Sequence, residues 1–316
     1  MLNDILVYMT HPHVGAWNFA PRHLVRLQAA LPRAKISVCY NSREFLDRLP
    51  EAGAAIVWHF KKAWLESAPD LRLIATPAAG TEWIEPEPSE RLRISFGGFH
   101  GSMIAESVAG AAFYFCKAFK LSADMQGQRK WARIKISEKL FSLYRKQATI
   151  LGFGKIGREI GRVLKPFGCR IVGVKRTPCP QPPYFGEGDR VAAVESLPEI
   201  LKTTDHLIFV LPGGPETSGM FTREHFRMLP PHCIVYNVGR GNVYREADLV
   251  EALQDGAIAA AYLDVFETEP LPEGSPLWGM DNVLIQPHLS AASPQYLDLF
   301  IEELIGKWES LNKSAE

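Results

Sequence analysis

The sequence predicts an α/β protein of two doubly wound parallel-sheet domains, one of them inserted into the other. Short apolar runs alternate with amphipathic stretches through most of the chain, a pattern typical of parallel strands joined by crossover helices. The alternation stops at a long helical stretch after residue 100 and starts again near residue 148. A length of 316 residues also favours two domains over one.

The first series of apolar runs predicts five strands with helices between them. Amphipathic helices are expected at Pro21–Leu31 and Arg43–Leu49. A longer helix is expected at Ser102–Ala118, where small residues would let it pack closely against another helix. The strands are predicted at Ile5–Met9, Ile36–Tyr40, Ala55–His59, Leu73–Thr76 and Ile94–Gly97.

The second series predicts six further parallel strands, enough for a second doubly wound sheet. They are predicted at Ala148–Gly152, Arg170–Val174, His206–Leu211, Cys233–Val238, Ala259–Asp264 and Val283–Gln286. The last helical segment, Pro294–Leu311, follows the final strand and is expected to return to the first domain. We therefore place the first domain at residues 1–99 plus 290–316 and the inserted domain at residues 100–289.

Composition excludes several classes of function. Lysine plus arginine equals aspartate plus glutamate at 35 each, so no nucleic-acid or anionic-membrane partner is expected. The five cysteines are scattered without a C-x-x-C pair, which argues against a disulfide framework or a metal site and favours a reducing compartment. The N-terminal MLNDILVYMT has no basic leader, and no apolar run is long enough to span a bilayer. We expect a soluble, cytoplasmic protein.

A glycine motif indicates a dinucleotide site. Gly152, Gly154 and Gly157 match G-x-G-x-x-G between an apolar strand and an amphipathic helix. In that context the three glycines permit a tight turn, close approach to a pyrophosphate and close helix packing. The helix N-terminus then offers N–H groups and a positive dipole end to the phosphates.

The end of the next strand predicts which dinucleotide binds. An NAD site has an acidic residue there for the ribose 2′-OH, but this chain has Lys175, Arg176 and Thr177. Two cations and a hydroxyl can hold a 2′-phosphate, and no carboxylate is expected nearby to repel it. NADP(H) is therefore the predicted cofactor, with NAD(H) as the alternative.

Three residues that suit reduction of a 2-oxo acid follow three strands of the inserted domain. Arg240 lies in NVGRG, Glu269 in LDVFETEP and His288 at the end of VLIQPH. Because the carboxyl ends of parallel strands meet at one edge, all three can face one crevice. Arginine suits a carboxylate and a carbonyl oxygen, histidine suits a proton donor, and a carboxylate favours the protonated imidazole. We predict His288 as the proton donor.

In this order, the motifs resemble the D-isomer-specific 2-hydroxyacid dehydrogenase family over essentially the whole chain, and its glyoxylate/hydroxypyruvate reductase branch in particular. The matching segments are LGFGKIGREIGRVLKPFG, LPGGPETSGMF, NVGRG, LDVFETEPL and NVLIQPHLSAA, and AESVAG matches the family's interdomain helix. The resemblance implies a Rossmann cofactor domain inserted into a flavodoxin-like substrate (catalytic) domain. It also implies a homodimer formed through the cofactor domains and the Ser102–Ala118 region.

The resemblance also implies roles for single residues. Arg240 would bind the substrate carboxylate and polarise its carbonyl, while Glu269 would pair with His288 as the acid/base. The implied cofactor contacts are Lys155 and Ile156 at the pyrophosphate, Leu211 and Pro212 at the adenosine, and Asp264 with the backbone of Val238 and Gly239 at the nicotinamide. The implied substrate contacts are the N–H groups of Ala78, Ala79 and Gly80. Trp58 resembles an aromatic residue that lines a small pocket, although a core aromatic is an equally good interpretation.

Two departures and three alternatives qualify this interpretation. Lys175 replaces the family's usual acid, and AAGTEW replaces a glycine-rich substrate loop that carries an aspartate. A formate dehydrogenase would pair its histidine with glutamine, whereas this chain has Glu269. A phosphoglycerate dehydrogenase would need extra cations, for which Lys61 and Lys62 are candidates. A corepressor-like protein that binds the nucleotide without turnover could retain all three catalytic-type residues.

Overall fold

The chain forms two compact units, each built on its own parallel sheet. The computed structural model describes residues 2–177 and 179–313, with the backbone alone at residue 313. One unit comprises Met1–His100 and Ala292–Glu316, and the other comprises Gly101–Ala291. The predicted boundaries lie one or two residues earlier along the chain, and the predicted ranges include residues 1, 178 and 314–316, which lie outside the described residues. Two parallel sheets confirm the predicted α/β class.

The first unit has a five-stranded sheet with a switch in strand order beside its first strand. The strands are β1 (Asp4–Tyr8), β2 (Lys35–Cys39), β3 (Ala54–Val57), β4 (Leu73–Thr76) and β5 (Arg93–Phe96). They pair in the order β2-β1-β3-β4-β5, all parallel, which is the flavodoxin-like order. All five predicted strands are present within two residues of their predicted ends.

The second unit has a seven-stranded sheet, one strand more than predicted. The strands are β6 (Gln147–Leu151), β7 (Arg170–Lys175), β8 (Arg190–Ala193), β9 (His206–Phe209), β10 (Ile234–Asn237), β11 (Ala260–Leu263) and β12 (Val283–Ile285). They pair in the order β12-β11-β10-β9-β6-β7-β8. This is the Rossmann order with one added strand. All strands are parallel, and the switch in strand order lies between β6 and β9. The prediction of six strands was wrong because β8 is a four-residue edge strand that the sequence pattern did not distinguish from loop.

Ten α-helices are described. They are α1 (Pro21–Ala30), α2 (Ser42–Arg48), α3 (Gly101–Cys116), α4 (Phe119–Gly127), α5 (Arg133–Ser137), α6 (Lys155–Leu164), α7 (Leu197–Leu201), α8 (Arg223–Met228), α9 (Glu246–Gln254) and α10 (Tyr296–Lys313). Local sequence explains several of their starts. Pro21 occupies the first position of α1, and the Asn41 side chain caps α2 by accepting the Glu44 N–H at 2.9 Å.

The last helix belongs to the first unit. Helix α10 packs against α1, and Arg26 pairs with Glu302 at 2.9 Å between them. In the second unit α3 packs against α6, and the small residues Ala105 and Ala112 of α3 are buried. The chain therefore leaves the first unit once and re-enters it once.

The sheets are buried on both faces. Every residue of β3 and β4 is buried in the first unit, and the same holds for β6, β9, β10 and β11 in the second. Parallel strands that are covered by helices on both faces have continuous apolar sequences, which explains why these strands could be predicted from the sequence. Among the described residues, no helix is both long enough and apolar enough to cross a membrane.

Candidate active site

The glycine loop lies at the carboxyl end of β6, where the strand order of the second unit reverses. Gly152 has a φ of 101°, and a Cβ there would lie 2.5 Å from the Val210 carbonyl oxygen. A Cβ on Gly157 would lie 2.6 Å from the Gly152 oxygen. Both positions therefore require glycine, because nothing larger allows the helix to start so close to the strand.

Gly154 differs from its two neighbours in the motif. It is exposed, and a Cβ there would meet no atom within 4 Å. Helix α6 begins at the next residue, Lys155, so the first-turn N–H groups, which have no acceptor within the helix, face this open space. The loop thus has the free volume and the donors that a pyrophosphate needs.

The end of β7 carries the predicted cations and an acidic residue that the sequence did not predict there. Lys175 is half-buried, whereas Arg176 and Thr177 are exposed. The Arg176 guanidinium pairs with the carboxylate of Glu216, which lies in the loop after β9. The expectation that no carboxylate lies near these cations was therefore wrong. Glu216 is 40 residues away in sequence, and nothing in the pattern of either segment indicated the contact.

Arg240, Glu269 and His288 all follow strands at one edge of the sheet. Arg240 follows β10, Glu269 follows β11 and His288 follows β12. The loops touch directly, since a Cβ on Gly241 would lie 1.9 Å from the Phe266 carbonyl carbon. The His288 Nδ1 lies 2.7 Å from the Glu269 Oε2. The Phe266 N–H donates to the other carboxylate oxygen at 3.1 Å and fixes its orientation.

The charges of this group act on one another. The hydrogen bond with Glu269 raises the pKa of His288, against the opposing effects of burial and of the Arg240 charge. Burial alone would raise the pKa of Glu269, but the hydrogen bond and charge of His288, with help from Arg240, lower it. The pair therefore favours an imidazolium beside a carboxylate. The Arg240 guanidinium also donates to the Gly239 carbonyl oxygen at 2.7 Å, which uses one of its five N–H donors.

His288 is held in an unusual backbone conformation by Asp264. Its φ is 53°, in the left-handed region that few residues other than glycine adopt. The Asp264 carboxylate is buried and accepts the N–H groups of Leu289 at 2.8 Å and Ser290 at 3.0 Å, together with the Ser290 hydroxyl. The Asp264 carbonyl accepts the His288 N–H at 2.8 Å. Asp264, predicted to bind the nicotinamide, thus organises the turn that carries His288.

The other predicted nicotinamide and adenosine contacts lie beside this turn. The Val238 N–H donates to the Phe209 carbonyl, and the Gly239 N–H donates to the Asn237 Oδ1 at 3.1 Å. Leu211 is half-buried and Pro212 is exposed. A Cβ on Gly239 would lie 2.7 Å from the Leu211 carbonyl oxygen, so the loops after β9 and β10 are in contact.

The predicted substrate residues of the first unit follow β3 and β4. Trp58 belongs to an aromatic cluster: its Nε1 donates to the Trp17 carbonyl at 3.0 Å, and its ring stacks on Tyr296 at 5.8 Å. The Ala78 N–H donates to the Thr76 Oγ1 at 3.2 Å and is therefore engaged within its own loop. Ala79 is exposed and Gly80 is half-buried in the same loop.

The family model and the relatives that match this chain point to the same family. Residues 109–290 match the family model described as D-isomer specific 2-hydroxyacid dehydrogenase, NAD binding domain. The chain is 34% identical to a glyoxylate reductase of Pyrococcus furiosus over 238 residues, which cover 72% of this chain and 69% of that protein. It is 29% identical to glyoxylate/hydroxypyruvate reductase A of Yersinia enterocolitica over 285 residues, covering 87% and 86%.

A solved structure extends the likeness to nearly the whole chain. The D-isomer specific 2-hydroxyacid dehydrogenase from Xanthobacter autotrophicus Py2, in complex with NADPH and MES, matches with a TM-score of 0.79. Its sequence is 29% identical, and the match covers 97% of this chain and 95% of that one.

The glycine loop makes a prediction that separates binding from folding. Gly154→Ala should leave thermal stability unchanged, because the new Cβ meets nothing, but should weaken dinucleotide binding about 10- to 100-fold by blocking phosphate contacts. Gly157→Ala should instead destabilise the protein by about 1–3 kcal/mol through the clash with Gly152. Thermal denaturation and dinucleotide titration measure both. Gly274→Ala, also in open space, is the control. Unimpaired dinucleotide binding by the Gly154 variant would contradict the assignment of this loop.

Proposed function

The chain belongs to the D-isomer specific 2-hydroxyacid dehydrogenase family, and we propose that it uses NADPH to reduce a small 2-oxo acid of the glyoxylate or hydroxypyruvate type to a D-2-hydroxy acid. The observation that carries this proposal is the hydrogen bond of 2.7 Å between His288 and Glu269, at the sheet edge that also carries Arg240. Reduction of a 2-oxo acid requires a proton donor and a cation for the substrate. Here the proton donor is an imidazolium oriented by a carboxylate, and the cation is a guanidinium close enough to affect the pKa of both groups.

His288 is the proposed proton donor. Its Nδ1 is engaged by Glu269, so Nε2 is the ring atom that donates to the substrate carbonyl oxygen. The side chain is 46% exposed, which allows a substrate to reach it. NADPH, when bound, would supply the hydride for this reduction. Arg240 binds the substrate carboxylate and polarises the carbonyl, and Glu269 stabilises the positive charge of His288 until the proton leaves.

The cofactor proposal depends on the second unit. The open space at Gly154 and the N-terminus of α6 suit the pyrophosphate, with Lys155 and Ile156 beside it. Leu211 and Pro212 are assigned to the adenosine, and Asp264 with the backbone of Val238 and Gly239 to the nicotinamide. Lys175, Arg176 and Thr177 are assigned to the 2′-phosphate, since two cations can neutralise it. The NADPH complex of the Xanthobacter relative supports this choice.

The substrate proposal depends on the first unit as the substrate domain. The backbone of exposed Ala79 and half-buried Gly80 is assigned to the substrate carboxylate, while the Ala78 N–H remains bonded to Thr76. Trp58, fixed between Trp17 and Tyr296, is assigned to the wall that restricts the substrate to a short side chain. The glyoxylate and hydroxypyruvate reductase names of the relatives support a substrate of this size.

Turnover of 2-oxo acids tests the function directly. The wild-type protein should oxidise NADPH faster than NADH with glyoxylate or hydroxypyruvate, and His288→Ala should lower kcat about 10²- to 10⁴-fold by removing the general acid. His232→Ala is a matched control, because His232 is also bonded to a carboxylate, that of Asp205, at 2.8 Å. Tight NADPH binding without turnover of glyoxylate, hydroxypyruvate, pyruvate or phenylpyruvate would instead favour a corepressor-like binding protein.

The pairing of His288 with Glu269 predicts a pH effect. Reduction needs protonated His288, so kcat/KM should be constant at low pH and fall as the pH rises through the raised pKa of His288. Glu269→Gln removes the charge that raises this pKa, and the fall should therefore begin at a lower pH. NMR titration of His288 and the pH profile of kcat/KM should shift together. Glu267→Gln, which changes a neighbouring carboxylate, should leave both in place; an unmoved profile in Glu269→Gln would contradict the assigned role.

We also propose that the protein is a homodimer. Helix α3, in the region first assigned to the interface, is largely buried within its own unit. The following segment, residues 119–144, exposes large apolar side chains to between 38% and 88%, namely Phe119, Trp131, Ile134, Leu140, Phe141 and Tyr144. Exposed apolar side chains in this number are typical of an interface. A second copy of the same segment is the proposed partner.

Replacing two of these side chains should separate the subunits. The double variant Trp131→Ser, Ile134→Ser should sediment with the mass of one chain, whereas the wild type should sediment with the mass of two. The substitutions remove exposed apolar area only, so thermal stability of the isolated chain should change little. Trp83→Ser, which removes a tryptophan exposed to 55% in the first unit, should remain dimeric. A wild-type protein that is monomeric at micromolar concentration would refute the proposal.

A further inference from the structure

We infer that Glu216 is a specificity-determining residue, which competes with the 2′-phosphate of NADPH for the guanidinium of Arg176. The inference rests on the proposed assignment of Arg176 to that phosphate. Among the described residues, Glu216 is the carboxylate paired with Arg176 at the end of β7, and it comes from a different loop. It therefore occupies a place where NADP(H) and NAD(H) differ chemically.

The topology of the sheet determines where this ion pair lies. Strand β6 lies between β9 and β7, and it pairs with both in parallel. Arg176 follows β7 and Glu216 is in the loop after β9, so their contact spans the carboxyl end of the strand between them. That end carries the glycine loop, beginning at Gly152. The ion pair therefore crosses the side of the crevice at which the dinucleotide is proposed to bind.

The loop that carries Glu216 has its own internal bonds. The Thr217 Oγ1 donates to the Pro212 carbonyl at 2.6 Å, and the Ser218 N–H donates to the Gly214 carbonyl at 2.9 Å. The Gly219 N–H donates to the Asn242 carbonyl at 2.8 Å, which ties the loop to the segment after Arg240. Because these bonds do not involve the Glu216 side chain, a neutral residue at this position should leave the loop in place.

The exchange of partners is chemically feasible. A guanidinium offers a planar pair of donors that fits either a carboxylate or a phosphate. Arg176 and Glu216 are exposed to 77% and 75%, and an ion pair so exposed contributes little stability, so a doubly charged phosphate can displace the carboxylate. The displaced carboxylate remains near the phosphate and repels it. NADH has no 2′-phosphate, leaves the pair intact and gains nothing from Arg176.

Neutralising Glu216 should therefore tighten NADPH binding alone. We expect Glu216→Gln to lower the Kd of NADPH about three- to tenfold, from the usual strength of exposed charge pairs, without lowering the Kd of NADH. The gain should shrink as salt rises, because exposed charges are screened. Glu199→Gln is the matched control: Glu199 pairs with Lys202 in the same unit and is exposed to 77%. It should change neither Kd.

The experiment is titration of the full-length protein with NADPH and with NADH at low and high salt. In an Arg176→Gln background the gain from Glu216→Gln should be smaller, since no guanidinium remains to be released. A gain that persists in full in that background, or a ratio of the two dissociation constants that does not move toward NADPH in Glu216→Gln, would overturn the inference.

The outcomes also separate this inference from the cofactor proposal. If the wild type binds NADH more tightly than NADPH and Arg176→Gln does not weaken NADPH binding, the assignment of Arg176 to the 2′-phosphate fails. If the wild type prefers NADPH and loses that preference in Arg176→Gln, but Glu216→Gln has no effect, only the competition fails.

Discussion

The hydrogen bond between His288 and Glu269 is the interaction on which the proposed chemistry depends, and the His288 that makes it has a left-handed backbone conformation. That conformation costs a non-glycine residue on the order of 1 kcal/mol or more. Asp264 stabilises it by accepting the N–H groups of the two following residues and, through its own carbonyl, that of His288. Burial raises the pKa of Asp264, and the donors of Ser290 and Leu289 oppose this rise only in part.

The supporting contacts come from loops, while the sheet sets the distances between them. Three neighbouring strands, β10, β11 and β12, end at one edge, and each is followed by one of Arg240, Glu269 and His288. Neighbouring strands lie about 4.8 Å apart, so the side chains of residues that follow adjacent strands can contact one another. The contact of Gly241 with Phe266 brings the first two loops closer still. A rigid sheet thus positions side chains that lie on otherwise irregular segments.

The buried strands could be predicted from the sequence, because strands covered on both faces are continuous apolar runs. The residues after these strands could be predicted for the same reason, since the end of an apolar run marks the carboxyl end of a strand. Strand β8 could not, because it is four residues long, only half-buried and at the edge of the sheet, so that neither burial nor periodicity distinguishes it from loop. The position of Glu216 beside Arg176 could not be predicted either, because that contact follows from the order β9-β6-β7, and the pattern within a strand carries no information about which strands become neighbours.

The loop after β9 links the two ends of the proposed cofactor site. Glu216 in this loop pairs with Arg176, while Gly213 in the same loop packs so closely on Arg240 that a Cβ there would lie 3.0 Å from the Arg240 Cγ. The loop is held by internal hydrogen bonds, from Thr217 to Pro212 and from Ser218 to Gly214. A side chain at Gly213 would meet the aliphatic carbons of Arg240, whose guanidinium is proposed to bind substrate. Gly213 therefore leaves room for the Arg240 side chain. The loop after β9 contacts both the residue proposed to bind the cofactor 2′-phosphate and the residue proposed to bind substrate.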